Sequence, residues 1–300
     1  MILNISFRTD IVSCYPEWLV DTLLNKEFIG SRNPYNNIVQ LFPTKDIEGI
    51  IFCSKDYSKL LPYLEKIDSK YHCLYHYTIT SYEKDIEPNV PQDSKSWNTL
   101  IKMSEIVGKY KIIWRYDPIL LYDKYTKDWH YQHFNKYCSL YKNYFKLCTF
   151  NFVNVYDKVK KKFSDLNPIS KTDKEEIAEK LGKIALLNGI YLQTCILDKE
   201  YPGIHNEGCI TPKTLGLDIK PTKSPLLNNC MCTVHTYGIG DYNTCTNECK
   251  YCYATSFINN KNIIESYLPI GTIKDSDKVV IINKKVVNSE PDLFRELPNY

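Results

Sequence analysis

Apolar and polar positions alternate along the first two thirds of the chain in a strand-then-helix rhythm. The apolar run Ile2 to Phe7 predicts a first strand, and Pro16, at a favoured first-turn position, opens a helix. Ile47, Ile50, Ile51 and Phe52 predict the second strand, with a helix beginning near Ser58. Cys73 to Ile79 predicts the third, and Trp97, Leu100, Ile101 and Val107 mark the apolar side of the helix after it. Ile112 to Tyr116 is the fourth strand; His130, Phe134, Tyr137, Cys138 and Tyr141 then recur at helical spacing. Leu147 to Val153 is the fifth. A helix starts at Thr172, where Glu175 completes a capping-box pattern, and Asn188-Gly189 ends it. Ile190 to Thr194 supplies a sixth strand, which runs into Cys195.

Six such alternations predict a parallel sheet with helices outside, either a partial or closed β/α barrel or an open doubly wound sheet. In both, functional groups gather where strands end. Arg8-Thr9-Asp10, Ser54-Lys55-Asp56, Thr80-Ser81-Tyr82, Arg115-Tyr116-Asp117 and Asn154 all fall on that edge, which predicts a pocket there. The rhythm stops near residue 197. The chain thus divides into a β/α barrel core over 1–196, an irregular Cys-rich segment over 197–256 that completes the barrel, and a C-terminal tail over 257–300.

Composition narrows the class. With 300 residues and 43% hydrophobic content the chain can bury a large core, and a net charge of +3 from scattered lysines does not indicate nucleic-acid binding. The basic run Lys158 to Lys162 reads as the solvated face of a helix. No basic start precedes a long apolar stretch, and no run reaches the roughly 20 apolar residues that span a bilayer. A cytoplasmic protein without a membrane partner is expected, so its 12 cysteines do not read as a disulfide framework.

Their placement is uneven. Cys14, Cys53, Cys73, Cys138 and Cys148 lie singly in or beside apolar patterns and read as small core residues. The rest crowd between Cys195 and Cys252. Cys245, Cys249 and Cys252 form a C-x3-C-x2-C array, whose thiolates can each hold one iron of a 4Fe-4S cubane and leave the fourth iron open. Zinc with a fourth ligand from elsewhere is the competing reading, although only Cys249 and Cys252 make a C-x2-C knuckle. Cys195, Cys209, Cys230 and Cys232 could close a second site, a 4Fe-4S cluster or zinc, with His205 or His235 able to replace one of them.

The triad spacing, with an aromatic residue before the last cysteine, resembles that of radical S-adenosylmethionine (SAM) enzymes. Ser6-Phe7-Arg8-Thr9-Asp10-Ile11, Arg32-Asn33-Pro34, Asp85-Ile86-Glu87-Pro88, Trp114-Arg115-Tyr116-Asp117-Pro118 and Tyr242 to Ala254 together resemble the DUF1848 family over about residues 1 to 256. That family is uncharacterised and has a C-terminal cysteine cluster similar to the N-terminal one of radical SAM enzymes. The resemblance implies a cluster on Cys245, Cys249 and Cys252 whose open iron chelates SAM and cleaves it to a 5′-deoxyadenosyl radical. It also implies a ferredoxin- or flavodoxin-type electron donor. Arg8, Asp10 and the backbone near Tyr251 would bind the cofactor, and Lys55, Arg115 and Asp117 would line the catalytic pocket. No substrate comes with the resemblance, and no Gly-Gly-Glu-like segment for the SAM amine is present. The triad also follows six strand–helix units instead of the first strand. A circular permutation reconciles the two, with Cys232 to Tyr237 as the strand before the cluster loop, beside Ile2 to Phe7. Two other functions fit the residues: a non-catalytic iron–sulfur electron carrier or redox sensor, and a zinc-stapled barrel hydrolase working through Asp10, Asp117 and a histidine.

Overall fold

The computed structural model describes residues 1–163, 165–197, 199–222, 231–255 and 277–282. The chain forms β1 (Ile2–Ile5), α1 (Ile11–Cys14), α2 (Pro16–Asn25), the hairpin β2 (Phe28–Arg32) and β3 (Val39–Pro43), then β4 (Gly49–Ser54). α3 (Leu64–Lys70), β5 (His72–Thr78), α4 (Asp93–Val107), β6 (Ile112–Ile119), α5 (Lys127–Tyr141) and β7 (Leu147–Phe152) continue the alternation. It closes with α6 (Asp157–Lys160), α7 (Lys171–Asn188), β8 (Tyr191–Thr194), β9 (Ile204–Asn206), α8 (Pro212–Leu215), β10 (Tyr237–Gly238) and β11 (Val279–Ile281).

Eight strands make one parallel sheet in the order β10-β1-β4-β5-β6-β7-β8-β9. All six strands expected from the apolar runs are present in it. The edges are β10 and β9, and among the described residues no ladder joins them into a closed barrel. β10 lies within the irregular segment at the end of the run Cys232 to Tyr237. It pairs Tyr237 with Leu3 and Gly238 with Asn4, which sets it parallel beside β1. The hairpin β2–β3 with β11 forms a separate three-stranded sheet. The hairpin lies between the first and second expected strands, and β11 lies within the expected tail.

A sheet buried on both faces needs apolar residues at successive positions, not only at alternate ones. Leu3, Ile5, Ile50, Phe52, Tyr75, Trp114 and Phe150 belong to the large core that the helices cover, including Leu19, Trp97, Phe134 and Leu181. The intervening Ile2, Ile51, Leu74 and Ile113 point the other way and pack with Ile210, Leu215, Cys232 and Val234. The irregular segment therefore plugs the inner face of the sheet near the strands' N-terminal halves. Towards their C-terminal ends that face turns polar: Thr78, Arg115, Thr149 and Gln193 sit in register across β5 to β8.

Local chemistry explains most boundaries. Pro16 starts α2, Thr126 caps α5 by accepting from the Trp129 amide, and Gly189 ends α7 in the left-handed conformation (φ +67°). α7 opens earlier than expected. Ser170 is its cap, accepting from the Asp173 amide at 3.1 Å, and Thr172 with Glu175 lies inside the first turns. The run Lys158 to Lys162 also differs from a purely solvated face. Lys158 donates to the Tyr253 carbonyl, and Lys162 donates to that of Thr255 at 2.7 Å. These two lysines hold the chain just beyond the triad. Among the described residues no helix is long and apolar enough to cross a membrane.

Candidate metal centre

The cysteine loop, residues 241–255, hangs from the turn between β1 and α1. Arg8 is buried and donates from Nε to the Gly240 carbonyl (2.6 Å) and from Nη2 to that of Gly238 (2.9 Å), fastening β10 and the chain leaving it. The guanidinium is thus engaged on backbone, and an added role on a SAM carboxylate would have to share it. The Thr9 hydroxyl bonds the Asp241 carbonyl and the Thr244 hydroxyl, and Tyr15 donates to the Thr244 carbonyl at 2.9 Å.

Asp10 is the hub. Oδ1 accepts from the Ser13 amide (3.0 Å) and the Ser54 hydroxyl (2.7 Å); Oδ2 accepts from the Lys55 amide (2.9 Å) and from Nδ2 of Asn247 (3.0 Å). One carboxylate therefore ties α1, the end of β4 and the middle of the triad together. Burial pushes its pKa up, against the pull of the Lys55, Ser54 and Ser13 donors and of the Lys55 charge.

Within the loop, Asn243 and Glu248 take left-handed conformations (φ +64° and +53°), turning the chain sharply between the cysteines. Cys249 is buried, while Cys245 and Cys252 are half-buried. The Cys252 amide donates to the Cys249 carbonyl at 3.0 Å, and the Ala254 amide donates to Cys252 Sγ at 3.3 Å. The loop after β5 supports the other side: Asn89 Nδ2 donates to the Thr246 carbonyl (2.8 Å), and the Lys250 amide donates to that of Ile86 (3.0 Å).

The three thiols are close enough to influence each other's ionisation, Cys249 acting on Cys245 and Cys252 acting on Cys249. Burial pushes Cys249 up, and the Lys55 ammonium pulls against it. Among the described residues no three Cys, His, Asp or Glu side chains close on a common point. The donor set nonetheless suits an iron–sulfur cubane. It offers three thiols from one sharply turned loop, with two cations, Lys55 and Lys162, near enough to offset thiolate charge.

Cys14 is not the core residue its apolar neighbours suggested. Its sulfur accepts from the Thr246 amide at 3.4 Å and meets the Thr246 hydroxyl at 3.3 Å. The neighbouring Cys245 thiol pulls the pKa of Cys14 down, and Cys14 pushes that of Cys245 up. A fourth sulfur thus stands beside the triad. Cys73, Cys138 and Cys148 are the core residues expected.

Lys55, Arg115 and Asp117 converge at the C-terminal ends of the strands, each already partnered. Lys55 is buried with its Nζ 2.7 Å from Glu87 Oε1, the same oxygen that accepts from Thr80 (2.6 Å) and from the Tyr251 hydroxyl. Burial alone would lower the Lys55 pKa, but the charges of Glu87 and Cys249 outweigh it and raise it. Tyr251, between the last two cysteines, thereby joins the triad to the buried Lys55–Glu87 pair. Arg115 bonds Asp117 through Nη2 and reaches Cys53 Sγ through Nη1 at 2.7 Å. Cys53 is accordingly a site-facing thiol on the inner face, not core. Among the described residues buried Arg115 Nε and His76 Nε2 find no partner, and desolvation holds His76 neutral, with its pKa down to about 3.

Glu87, Asn247, Cys14, Cys53 and His76 were missed as site residues. Glu87 stands in Asp85-Ile86-Glu87-Pro88 and Asn247 inside the triad, so both lay in segments already singled out. The other three look apolar in context. Of the second cysteine set, Cys209 and Cys232 meet at 3.8 Å between sulfurs, and Cys195 directly follows β8. Cys230 lies outside the described residues. His205 stacks on Tyr191 with ring centroids 3.7 Å apart, and His235 sits edge-on to Tyr237.

Fold and site define an α/β protein with an eight-stranded parallel sheet and a three-cysteine loop against the C-terminal end of β1. A family model described as "Domain of unknown function (DUF1848)" matches residues 2–254, and the chain belongs to that family. Searches of curated proteins and of solved structures found no match.

Proposed function

We propose that the protein is a radical SAM-like iron–sulfur enzyme built on a circularly permuted partial barrel. The observation that carries the reading is the pairing of β10 with β1. The strand that leads into Cys245, Cys249 and Cys252 lies at the edge of a parallel sheet, immediately before β1 in spatial order. The triad then leaves the C-terminal end of the spatially first strand, as it does in the radical SAM layout the spacing resembles.

When bound, the cluster would supply the electron that cleaves SAM into methionine and a 5′-deoxyadenosyl radical. The chain's own residues would do the rest. Asp10 and Asn247 hold the loop to α1. Lys55 lies beside Cys249 and Tyr251, where its charge offsets that of a thiolate-ligated cluster. Arg115, Asp117, Cys53 and His76 line the polar part of the inner face, where substrate would meet the reactive end of SAM. Because Arg115 is paired with Asp117 and Lys55 with Glu87, the pocket favours a neutral or zwitterionic substrate over a polyanion. Cys209 and Cys232, with Cys195 and Cys230, remain the candidates for a second cluster or zinc. A ferredoxin- or flavodoxin-type protein is the proposed donor.

The test is anaerobic. Iron and sulfide are reconstituted into the protein, which is reduced with dithionite and given SAM, and 5′-deoxyadenosine is measured. Product that disappears in Cys249→Ala supports the reading. Iron and sulfide without SAM cleavage point to an electron carrier or sensor, and zinc without sulfide removes both iron–sulfur readings.

A further inference from the structure

The basic run after β7 gathers positive charge on one flank of the cysteine loop. Lys158 and Lys162, four residues apart, both turn to the loop: Lys158 Nζ donates to the Tyr253 carbonyl, and Lys162 Nζ to that of Thr255 at 2.7 Å. Lys250, inside the loop, answers from the other side, its Nζ 6.0 Å from the centre of the Phe163 ring. Lys160 and Lys161 face solvent. Carboxylates are fewer. Asp157, 3.8 Å from Lys160 Nζ, and Asp165 flank the run, while Glu248 turns towards Asn89 at 3.3 Å. Among these lysines lies Tyr253, 44% exposed, its hydroxyl fixed on the Phe7 carbonyl at 2.6 Å. It directly follows Cys252, which is half-buried.

We propose that Lys158, Lys160, Lys161, Lys162 and Lys250, around Tyr253, form the docking surface for a small acidic electron-transfer protein. This rests on the cluster reading above, because such a cluster draws its electron from outside. Electron transfer falls off steeply with distance, so the donor must approach where the triad comes nearest to solvent. The step moves one electron from the carrier's reduced flavin or iron–sulfur centre, and no bond is made or broken. Encounters of this kind are small and steered by charge, and an exposed tyrosine supplies a rigid contact at the centre. The chemistry of the cations favours carboxylates over nucleic acid. All five are lysines, and no arginine occurs between Arg115 and Arg295. Flexible point charges suit a short-lived carboxylate-rich partner, whereas forked phosphate recognition calls on arginine.

The first arm of the test needs no metal. Full-length, metal-free protein is mixed at low ionic strength with a flavodoxin or a 4Fe-4S ferredoxin. A carbodiimide then joins lysines to carboxylates in contact, and the peptides are mapped by mass spectrometry. Cross-links on Lys158, Lys160 and Lys161 that fade as salt rises are expected. Cross-links centred on other lysines, or none with either carrier, overturn the proposal. So does a single-stranded oligonucleotide that binds the parent and displaces both carriers, which would make the surface a nucleic-acid site. The second arm times reduction of iron- and sulfide-loaded protein by each reduced carrier, with dithionite as the reference reductant. Lys160→Glu with Lys161→Glu should slow the carriers about tenfold relative to dithionite, and the paired Gln variants less. Lys66→Glu with Lys102→Glu, exposed on α3 and α4, makes the same change in net charge and should keep the parental ratio. A parental ratio in the first pair, or an equal loss in the control pair, overturns the docking surface. A chain that cross-links as expected yet never takes up iron and sulfide refutes the cluster reading alone. A loaded chain that dithionite reduces and neither carrier does refutes the docking surface alone.

Discussion

Replacing Asp10 with Asn tests whether one carboxylate holds the cysteine loop in place. The substitution keeps the volume but turns one acceptor oxygen into an NH2 group. If the remaining oxygen stays on Ser13 and Ser54, the amide nitrogen faces two donors, the Lys55 amide and Asn247 Nδ2. Asn247 can rotate its own amide and recover one bond, because its oxygen otherwise meets only the Ser13 hydroxyl at 3.4 Å. The Lys55 amide cannot adapt, since it is fixed at the end of β4. One buried donor left unpaired costs about 1–3 kcal/mol, and exchanging a charged acceptor for a neutral one at Ser13 and Ser54 weakens two further bonds. Against this, the buried carboxylate no longer has to ionise, which burial opposes. The net expectation is a loss of about 2–3 kcal/mol in urea denaturation of the metal-free chain. Iron per chain after reconstitution should also fall, because the loop loses its tie to α1. Ser54→Ala, which takes one of the four donors from Asp10 and the acceptor from the Asp56 amide, should cost about 1–2 kcal/mol and leave iron uptake unchanged. Asp10→Asn with parental stability and full iron content would falsify the hub role.

The remaining predictions concern the buried charges, the histidines and the inner plug. Glu87→Gln leaves the buried Lys55 ammonium without its counter-charge, and breaking such a pair costs about 3–5 kcal/mol; a fall of less than about 1 kcal/mol in chemical denaturation contradicts the pairing. His76 and His130 are held neutral by burial, with folded pKa values near 3 and 4 against 6.5 unfolded. Depressed folded values mean that their stabilisation is complete above about pH 6.5 and is lost as pH falls towards 4. Between pH 7 and 5 each should cost about 2 kcal/mol, and a flat stability profile there would contradict their burial as neutral imidazoles. Gly208→Ala places a Cβ 2.2 Å from the Met231 carbonyl oxygen and 2.6 Å from Cys232 Cα, both backbone atoms. Forcing those segments apart should lower stability by about 1–3 kcal/mol in a thermal melt followed by circular dichroism.

Periodicity by itself determined the parallel sheet. Six apolar runs separated by helical spacing leave few other ways to bury both faces, and the polar residues after β1, β4 and β5 and in the second half of β6 had to gather on one edge. The triad was equally legible, because its three thiols fall within eight residues and no folding is needed to bring them near each other. Tertiary structure decided what depends on long-range contact. β10 is two residues long, too short to show a period; the family resemblance, not a pattern, put a strand at Cys232 to Tyr237, and it pairs there because β1 offers it a free edge. β9 and β11, at three residues each, show no period either, and no resemblance pointed to them. Cys14 sits among Ile11, Val12 and Tyr15, so its pattern is that of a core thiol. Only the docking of the loop, through contacts that bridge more than 200 residues, turns it towards Cys245. Glu87, in turn, is an ordinary acidic loop residue until the fold buries Lys55 against it. A linear pattern reports which face a side chain takes within its own element, whereas the partner across a fold is set by how separate elements pack.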